Sequence, residues 1–240
     1  MFIKYIFDIF KLNRYVMNIS LLNHIQIYTK WKNQIKKDQK PYEAQLPWIT
    51  IASFEKIIGY LNGLKLQDIR IFEYGSGGSS YFFLNHADIV VSVEHDKLWY
   101  SQLKNYSKNG HFGHWDYRLI PPDQMESSPA INALNPINYS SDQNPYQNLS
   151  FKKYVTSIED YPDEYFDLVL IDGRSRVSCL FHAQNKVKKG GWIVLDNAER
   201  DRYFKFETLN TAQFELIFNH YGALICTPSY VQTNIYLKKK

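Results

Sequence analysis

A turn rich in glycine and serine follows a short apolar run, where the sequence reads IFEYGSGGSS. Gly75 and Gly77, on either side of Ser76, would let the backbone turn sharply and approach a ligand closely. Ser79 or Ser80 can cap the helix that follows, whose free N–H groups favour polar or anionic ligand atoms. The segment predicts a ligand-binding turn, although many loops contain a glycine cluster without such a role.

A carboxylate stands at the end of the next apolar run, in the sequence VVSVEHD. Glu94 lies 19 residues after Gly75, close to the roughly 20 residues expected for an acid that binds ribose hydroxyls. Either His95 or Asp96, at the same rim, could border the base. Alone, Glu94 reads as an exposed strand end. Together with the glycine turn, it predicts that the protein binds a nucleoside.

The residues around the turn indicate which nucleoside this is. Glu73 lies two residues before Gly75, where a carboxylate would repel a pyrophosphate but could pair with an ammonium group. The turn has Ser80 where the dinucleotide fingerprint has its third glycine. No Gly-Lys-Ser/Thr follows, so the segment is not a phosphate-binding P-loop either. These features favour S-adenosylmethionine, which carries an amino group and a sulfonium but no phosphate.

Two later apolar runs also end in polar side chains that would reach the same crevice. Asp172 ends FDLVLID, and Asp196 and Asn197 end GGWIVLDN. Three oxygen donors suit Mg²⁺ or another hard cation, but they could equally hydrogen-bond cofactor, substrate and loop backbone. Asp172 is the first candidate for a base or a metal ligand. Arg174 and Arg176 either pair with a substrate carboxylate or phosphate or are ordinary surface charge.

Alternating strands and helices must position these residues. The predicted strands are 69–74, 89–93, 117–120, 166–171, 192–195, 214–218 and 233–238, and the predicted helices are 47–63, 81–86, 97–108 and 177–187. This alternation predicts an α/β fold, doubly wound around a mainly parallel sheet. The segment 121–150, rich in Pro, Ser, Asn and Gln, is either a substrate lid or a surface insertion without a role.

Residues 1–46 are predicted to be an N-terminal helical extension, followed by one domain over 47–240. Apolar residues recur at helical spacing within 1–12, but lysines and an aspartate interrupt them, so neither a membrane span nor a signal peptide is expected. This helix would pack on the domain or on a second subunit, which gives a possible homo-oligomer. The alternative is a helix on a membrane surface, aided by a basic stretch of Lys30, Lys32, Lys36 and Lys37.

In the order FEYGSGGSS, VVSVEHD, FDLVLIDG and VKKGGWIVLDN, the sequence resembles class I S-adenosylmethionine-dependent methyltransferases over residues 47–240. The resemblance implies a seven-stranded sheet with a reversed last strand, with 214–238 as its closing hairpin. It implies that Glu73, Gly75 and Gly77 line the methionine part of the cofactor and that Glu94 holds its ribose. The trio of Asp172, Asp196 and Asn197 is similar to the metal site of the catechol O-methyltransferase type, although the surrounding segments depart from that type.

Composition narrows the function further. The chain has 240 residues, of which 45% are hydrophobic, and a net charge of +4. Such a mild positive charge argues against a nucleic-acid partner. Enzymes that methylate amino groups of DNA bases carry an Asn/Asp-Pro-Pro-aromatic motif after the fourth strand, where this sequence reads IDGRSR. Its two cysteines, Cys179 and Cys226, cannot form a disulfide framework, so a reducing, cytoplasmic location is expected.

The sequence thus predicts a methyltransferase acting on oxygen of a small molecule or sugar-like metabolite. The alternatives are an oxidoreductase with a nicotinamide cofactor and a catalytically inactive cofactor-binding subunit.

Overall fold

The computed structural model describes residues 21–64, 68–106, 113–125, 133–141, 144–204 and 208–240. The helix expected over residues 1–12 lies outside these ranges, as does part of the 121–150 segment. No helix within the described ranges has both the length and the apolar character needed to cross a bilayer.

Helices and strands alternate through most of the chain. The helices are α1 Leu21–Lys37, α2 Ile51–Gly63, α3 Gly78–Leu84, α4 Lys97–Tyr106, α5 Lys152–Thr156 and α6 Arg176–Ala183. The strands are β1 Arg70–Tyr74, β2 Ile89–Glu94, β3 Trp115–Leu119, β4 Asp123–Gln124, β5 Leu149–Ser150, β6 Phe166–Ile171, β7 Val187–Asp196, β8 Phe214–Ala223 and β9 Tyr230–Lys238. The α/β prediction is therefore confirmed.

Seven of these strands form one sheet in the order β3-β2-β1-β6-β7-β9-β8. Strands β3, β2, β1, β6 and β7 pair in parallel. The last strand, β9, runs antiparallel to both of its neighbours, β7 and β8. This is the seven-stranded sheet with a reversed last strand that the sequence resemblance implied. Because these strands run in parallel, the carboxyl ends of β1, β2, β6 and β7 lie along the same edge of the sheet.

Both faces of the sheet are covered, which explains why its central strands read as continuous apolar runs. In β6, Leu168 and Leu170 belong to the hydrophobic cluster on one face. Val169 and Ile171 alternate with them and belong to the cluster on the other face. Side chains of a strand point to opposite faces in turn, so one short run supplies both cores.

Helix α1 packs against the same core as the sheet. Ile27 and Trp31 are buried, the indole N–H of Trp31 donates to the carbonyl of Thr227 at 2.8 Å, and its ring lies 5.3 Å from that of Tyr230. The described part of the N-terminal region is thus anchored on the closing hairpin. The boundary between an extension and a domain stays a prediction.

Several element ends differ from the sequence prediction, among them those of two helices. The second helix starts at Ile51 rather than Pro47, because Thr50 acts as its N-cap and accepts from the Ser53 N–H. The helix predicted over 177–187 ends at Ala183, and Val187 already begins β7. In the 121–150 segment, β4 and β5 form a short antiparallel ribbon that closes the segment at its base.

Candidate active site

A cleft of about 460 Å³ opens where β1, β2, β6 and β7 end, a volume ordinary for a small-molecule site. The predicted residues that line it are Gly75, Ser76, Glu94, His95, Asp172, Arg174, Arg176, Asp196 and Asn197. An adjoining cavity of about 500 Å³ is lined by Gly77 and Ser79. The structure therefore gathers most of the predicted residues at one edge of the sheet.

Gly75 makes the sharp turn that the sequence predicts. Its φ is +90°, in the left-handed region that favours glycine, and its N–H donates to the Val93 carbonyl at 2.9 Å. A β-carbon here would lie 2.9 Å from both Cα and N of Gly173. Gly77, by contrast, has an extended backbone, and a β-carbon there would lie at an ordinary contact distance of 4.0 Å from Trp99. The turn therefore requires glycine at residue 75.

Glu94 ties the glycine turn to the end of β2. Its Oε2 atom accepts from the N–H and the hydroxyl of Ser76 at 3.0 and 3.1 Å, and its Oε1 accepts from the N–H groups of His95 and Asp96 at 2.7 and 2.8 Å. Burial would raise the pKa of Glu94, but these N–H donors and the neighbouring His95 lower it below its usual range. Glu94 is thus a carboxylate held rigidly at the floor of the cleft.

Glu73 lies elsewhere than the resemblance implied, because it lines neither the cleft nor the adjoining cavity. It is fully buried, and its Oε1 accepts from the hydroxyls of Ser80 and Ser92. Burial raises the pKa of Glu73 to about 7, the serine hydroxyls offset part of that effect, and the charge of Glu94 adds to it. Glu73 therefore supports the turn from behind, through Ser80, whose hydroxyl also accepts from the Gly77 N–H.

The side chain of Arg176 lies between two carboxyl groups, those of Asp172 and Asp196. The guanidinium of Arg176 donates to Oδ1 and the carbonyl of Asp172 at 3.0 Å each, donates to the carbonyl of Asp196, and lies 3.7 Å from Oδ2 of Asp196. Burial raises the pKa of Asp172 to about 6, with Arg176 opposing and Glu73 adding. Burial, and after it the charge of Asp172, raise the pKa of Asp196 well above its usual value.

The predicted metal trio does not fit a divalent cation. The Arg176 guanidinium already supplies the positive charge between Asp172 and Asp196, and Thr233 donates to Oδ1 of Asp196 at 2.8 Å. A dication there would face that guanidinium at short range. Over the ranges that the structure describes, no group of three or more His, Cys, Asp or Glu side chains is suited to hold a metal. Asn197 remains at the rim of the cleft.

Arg174 and Arg176, which were predicted together, have different surroundings. Arg176 is buried and donates to Gly173, Asp172 and Asp196, so it joins the ends of β6 and β7 rather than facing a substrate. Arg174 lines the cleft, with its guanidinium 5.3 Å from the centre of the Tyr146 ring. Of the two, Arg174 is the one available to a ligand.

Aromatic residues of the cleft were missed by the sequence analysis. Trp48, Trp99 and Tyr146 line the cleft, as does the basic side chain of Arg200. The hydroxyl of Tyr146 donates to Asp96 at 3.1 Å. Since Tyr146 belongs to the 121–150 segment, that segment contributes to the wall of the site. No short-range pattern marks these residues, because they come from separate loops that only the fold brings together.

Comparisons with known proteins identify the fold. No protein family model and no curated protein matches the chain. The solved structure of a protein from Corynebacterium glutamicum is similar with a TM-score of 0.53 and 10% identity, over 92% of this chain and 98% of that one.

Weaker likenesses are TrmN from Thermus thermophilus and a methyltransferase-like protein from Silicibacter pomeroyi. TrmN has a TM-score of 0.49 and 10% identity over 77% of this chain and 47% of that one, so this chain spans about half the length of TrmN. The second has a TM-score of 0.42 and 18% identity, over 76% of this chain and 84% of that one. At such identities the likeness establishes only the fold, an α/β fold around a seven-stranded, mostly parallel sheet.

Proposed function

We propose that this protein is an S-adenosylmethionine-dependent methyltransferase that methylates an oxygen of a small molecule or sugar-like metabolite. One observation carries the proposal: Ser76, within the glycine turn, donates two hydrogen bonds to Glu94 at the end of the next strand. The turn and the acidic strand end are thus one rigid unit at the cleft. A buried carboxylate beside a close backbone approach suits a ribose next to an uncharged linker.

The residues present fit this cofactor better than a dinucleotide. Glu94, Asp96 and the backbone of Ser76 would hold the nucleoside, with Trp99 offering an aromatic face at the same wall. Four carboxyl groups line the cleft, those of Glu94, Asp96, Asp172 and Asp196, together with the guanidinium groups of Arg174, Arg176 and Arg200. The Glu94 carboxylate contacts the glycine turn itself, where it would repel a pyrophosphate, and this disfavours the nicotinamide alternative.

Asp172 is the residue proposed to act on the acceptor. The bound cofactor would supply an electrophilic methyl group on a sulfonium. Asp172 would accept the proton of the acceptor hydroxyl while the acceptor oxygen takes the methyl group, and the sulfur would leave as a neutral thioether. The pKa of Asp172, about 6, leaves most of this carboxyl group ionised at neutral pH. Arg176 holds the Asp172 carboxylate in place from behind, and this fixed geometry suits an in-line displacement.

The proposal is tested by incubating the protein with S-adenosylmethionine and pools of hydroxylated sugars and small acids, and measuring S-adenosylhomocysteine release. Wild-type protein should release it with at least one pool, and Asp172→Asn should lose most of that activity. Asp123→Asn is the matched control, because Asp123 is exposed. Cofactor binding without turnover by any pool would favour the inactive-subunit alternative instead.

A further inference from the structure

Besides the cleft and the adjoining cavity, a third and much smaller cavity lies between residues 133–141 and the start of α6. Its volume is about 10 Å³, and Gly173, Arg174 and Arg176 line both it and the cleft. Ser140 and Ser175 line only the smaller one. A cavity of this size has room for a single oxygen-sized atom.

Three polar atoms at this cavity lack partners within the described part of the chain. They are Oγ of Ser140, Oγ of Ser175 and Nε of Arg174. Ser140 is 4% exposed and Ser175 is 6% exposed, so water at the surface does not satisfy their hydroxyls. Buried polar groups without partners are costly and uncommon. Their convergence at one cavity indicates a site for a hydrogen-bonding atom.

The backbone adds to the same preference. Ser175 occupies the N-cap position of α6, with φ 51° and ψ 40°, and its side chain makes no capping hydrogen bond. This left-handed conformation is strained for a residue other than glycine. Ser175 and the first N–H groups of α6 thus lie at a helix end that favours negative charge.

Arg174 makes no close ion pair within the part of the chain that the structure describes, although its charge acts on Asp172 at longer range. Arg176 contacts Asp172 and Asp196, whereas no carboxylate among the described residues forms an ion pair with Arg174. The three unpartnered atoms include an N–H donor and two hydroxyls, which can all donate at once. A cation is disfavoured there, and an oxygen with negative charge is favoured.

We infer that Arg174, Ser140 and Ser175 bind an oxyanion carried by the methyl acceptor, a carboxylate or a phosphoryl group. One oxygen of that group enters the small cavity, and the rest stays in the cleft beside Arg174. This inference rests on the proposed function and names its substrate class, an acidic hydroxyl compound. The alternative occupant of this cavity is a single ordered water molecule, whose binding would not depend on the positive charge of Arg174.

Calorimetric titration with inorganic phosphate and with acetate tests the inference, on the full-length protein with and without S-adenosylhomocysteine. At least one anion should bind to wild-type protein. Arg174→Gln should weaken that binding by about tenfold or more, the loss expected for a charged hydrogen bond, and Ser140→Ala/Ser175→Ala should weaken it several-fold. A preference for phosphate indicates a phosphoryl group, and a preference for acetate indicates a carboxylate.

Matched controls are Arg70→Gln, which removes the same charge away from the cleft, and Ser101→Ala, an exposed serine. Arg174→Lys, which keeps the charge but loses the planar fork, should give an intermediate affinity. Equal binding by Arg174→Gln and Arg70→Gln would overturn the inference, as would no binding of either anion at millimolar concentrations. Anion binding that depends on Arg174 in a protein that does not bind S-adenosylhomocysteine would retain the site and refute the proposed function.

Discussion

Gly75 and Gly173 lie so close that a β-carbon on Gly75 would be 2.9 Å from the backbone N and Cα of Gly173. These two glycines follow β1 and β6, which are neighbours in the sheet. Their contact brings the glycine turn, and with it Ser76 and Glu94, next to Asp172. The end of the cleft proposed to hold the cofactor and the end proposed to act on the acceptor thus meet through a close backbone contact.

Replacement of Gly75 by alanine should damage both folding and binding. The positive φ and the close approach to Gly173 make a methyl group costly, by about 1–3 kcal/mol of unfolding free energy. Urea unfolding and calorimetry with S-adenosylhomocysteine measure the two effects. Gly59→Ala is the matched control, since a β-carbon there meets nothing within 4 Å and alanine favours a helix. Equal stability of the two variants would contradict the assigned role of Gly75.

The rate of methyl transfer should fall below pH about 6. Asp172 must be ionised to accept a proton, and its pKa is raised to about 6. Below that pH, the rate should therefore fall about tenfold for each further pH unit. Asp172→Asn should lower the rate by roughly a hundredfold or more and abolish this acidic limb. Initial rates over pH 4.5–8, with stability checked at each pH, decide it. An unchanged limb in the variant would assign the titration to another group.

Glu73→Gln should become more stable relative to wild type as pH rises. The folded-state pKa of Glu73, about 7, lies above its ordinary value of 4.5, so the native state binds more protons than the unfolded state between these values. Wild-type stability therefore decreases across this window, by roughly 3 kcal/mol from this one group. Urea unfolding at pH 5 and pH 8 measures the difference in unfolding free energy between Glu73→Gln and wild type, with Asp123→Asn as a control at an exposed residue. A pH-independent difference would refute the buried, protonated Glu73.

Divalent metal should not be required for activity. Arg176 supplies the positive charge beside Asp172 and Asp196, where a second cation would be repelled. Initial rates with and without a chelator should agree, and Mg²⁺ titrated into the cofactor complex should release no heat. A chelator-sensitive rate that Mg²⁺ restores would require the arginine to leave that position and would reinstate the predicted trio as ligands.

Much of the cleft follows from local sequence patterns. The apolar runs that end at Glu94, Asp172 and Asp196 are strands because both faces of the sheet are buried, and parallel strands bring their ends together. The turn at Gly75 is equally local, since a positive φ next to a strand calls for glycine. These features allow the fold and most of the cleft-lining residues to be predicted from sequence.

The remaining features depend on contacts between distant segments. Arg174 and Arg176 look alike in the sequence. Arg176 nevertheless turns inward, because the carboxyl groups of Asp172 and Asp196 both lie within reach of its guanidinium. Glu73 is turned away from the cleft by hydroxyls that come from α3 and β2. Tyr146 reaches the cleft only through the path of a long loop. No local spacing encodes such choices, because competing partners lie far apart in the chain.

The most direct test of the central claim is calorimetric titration of S-adenosylhomocysteine and of NAD into the wild-type protein and into Glu94→Ala. The account predicts that S-adenosylhomocysteine binds to wild type and NAD does not. It also predicts that Glu94→Ala loses about tenfold or more in affinity, because four hydrogen bonds end on this carboxylate, two of them from Ser76 in the glycine turn. No binding of S-adenosylhomocysteine to wild type, or binding of NAD in its place, would contradict the account.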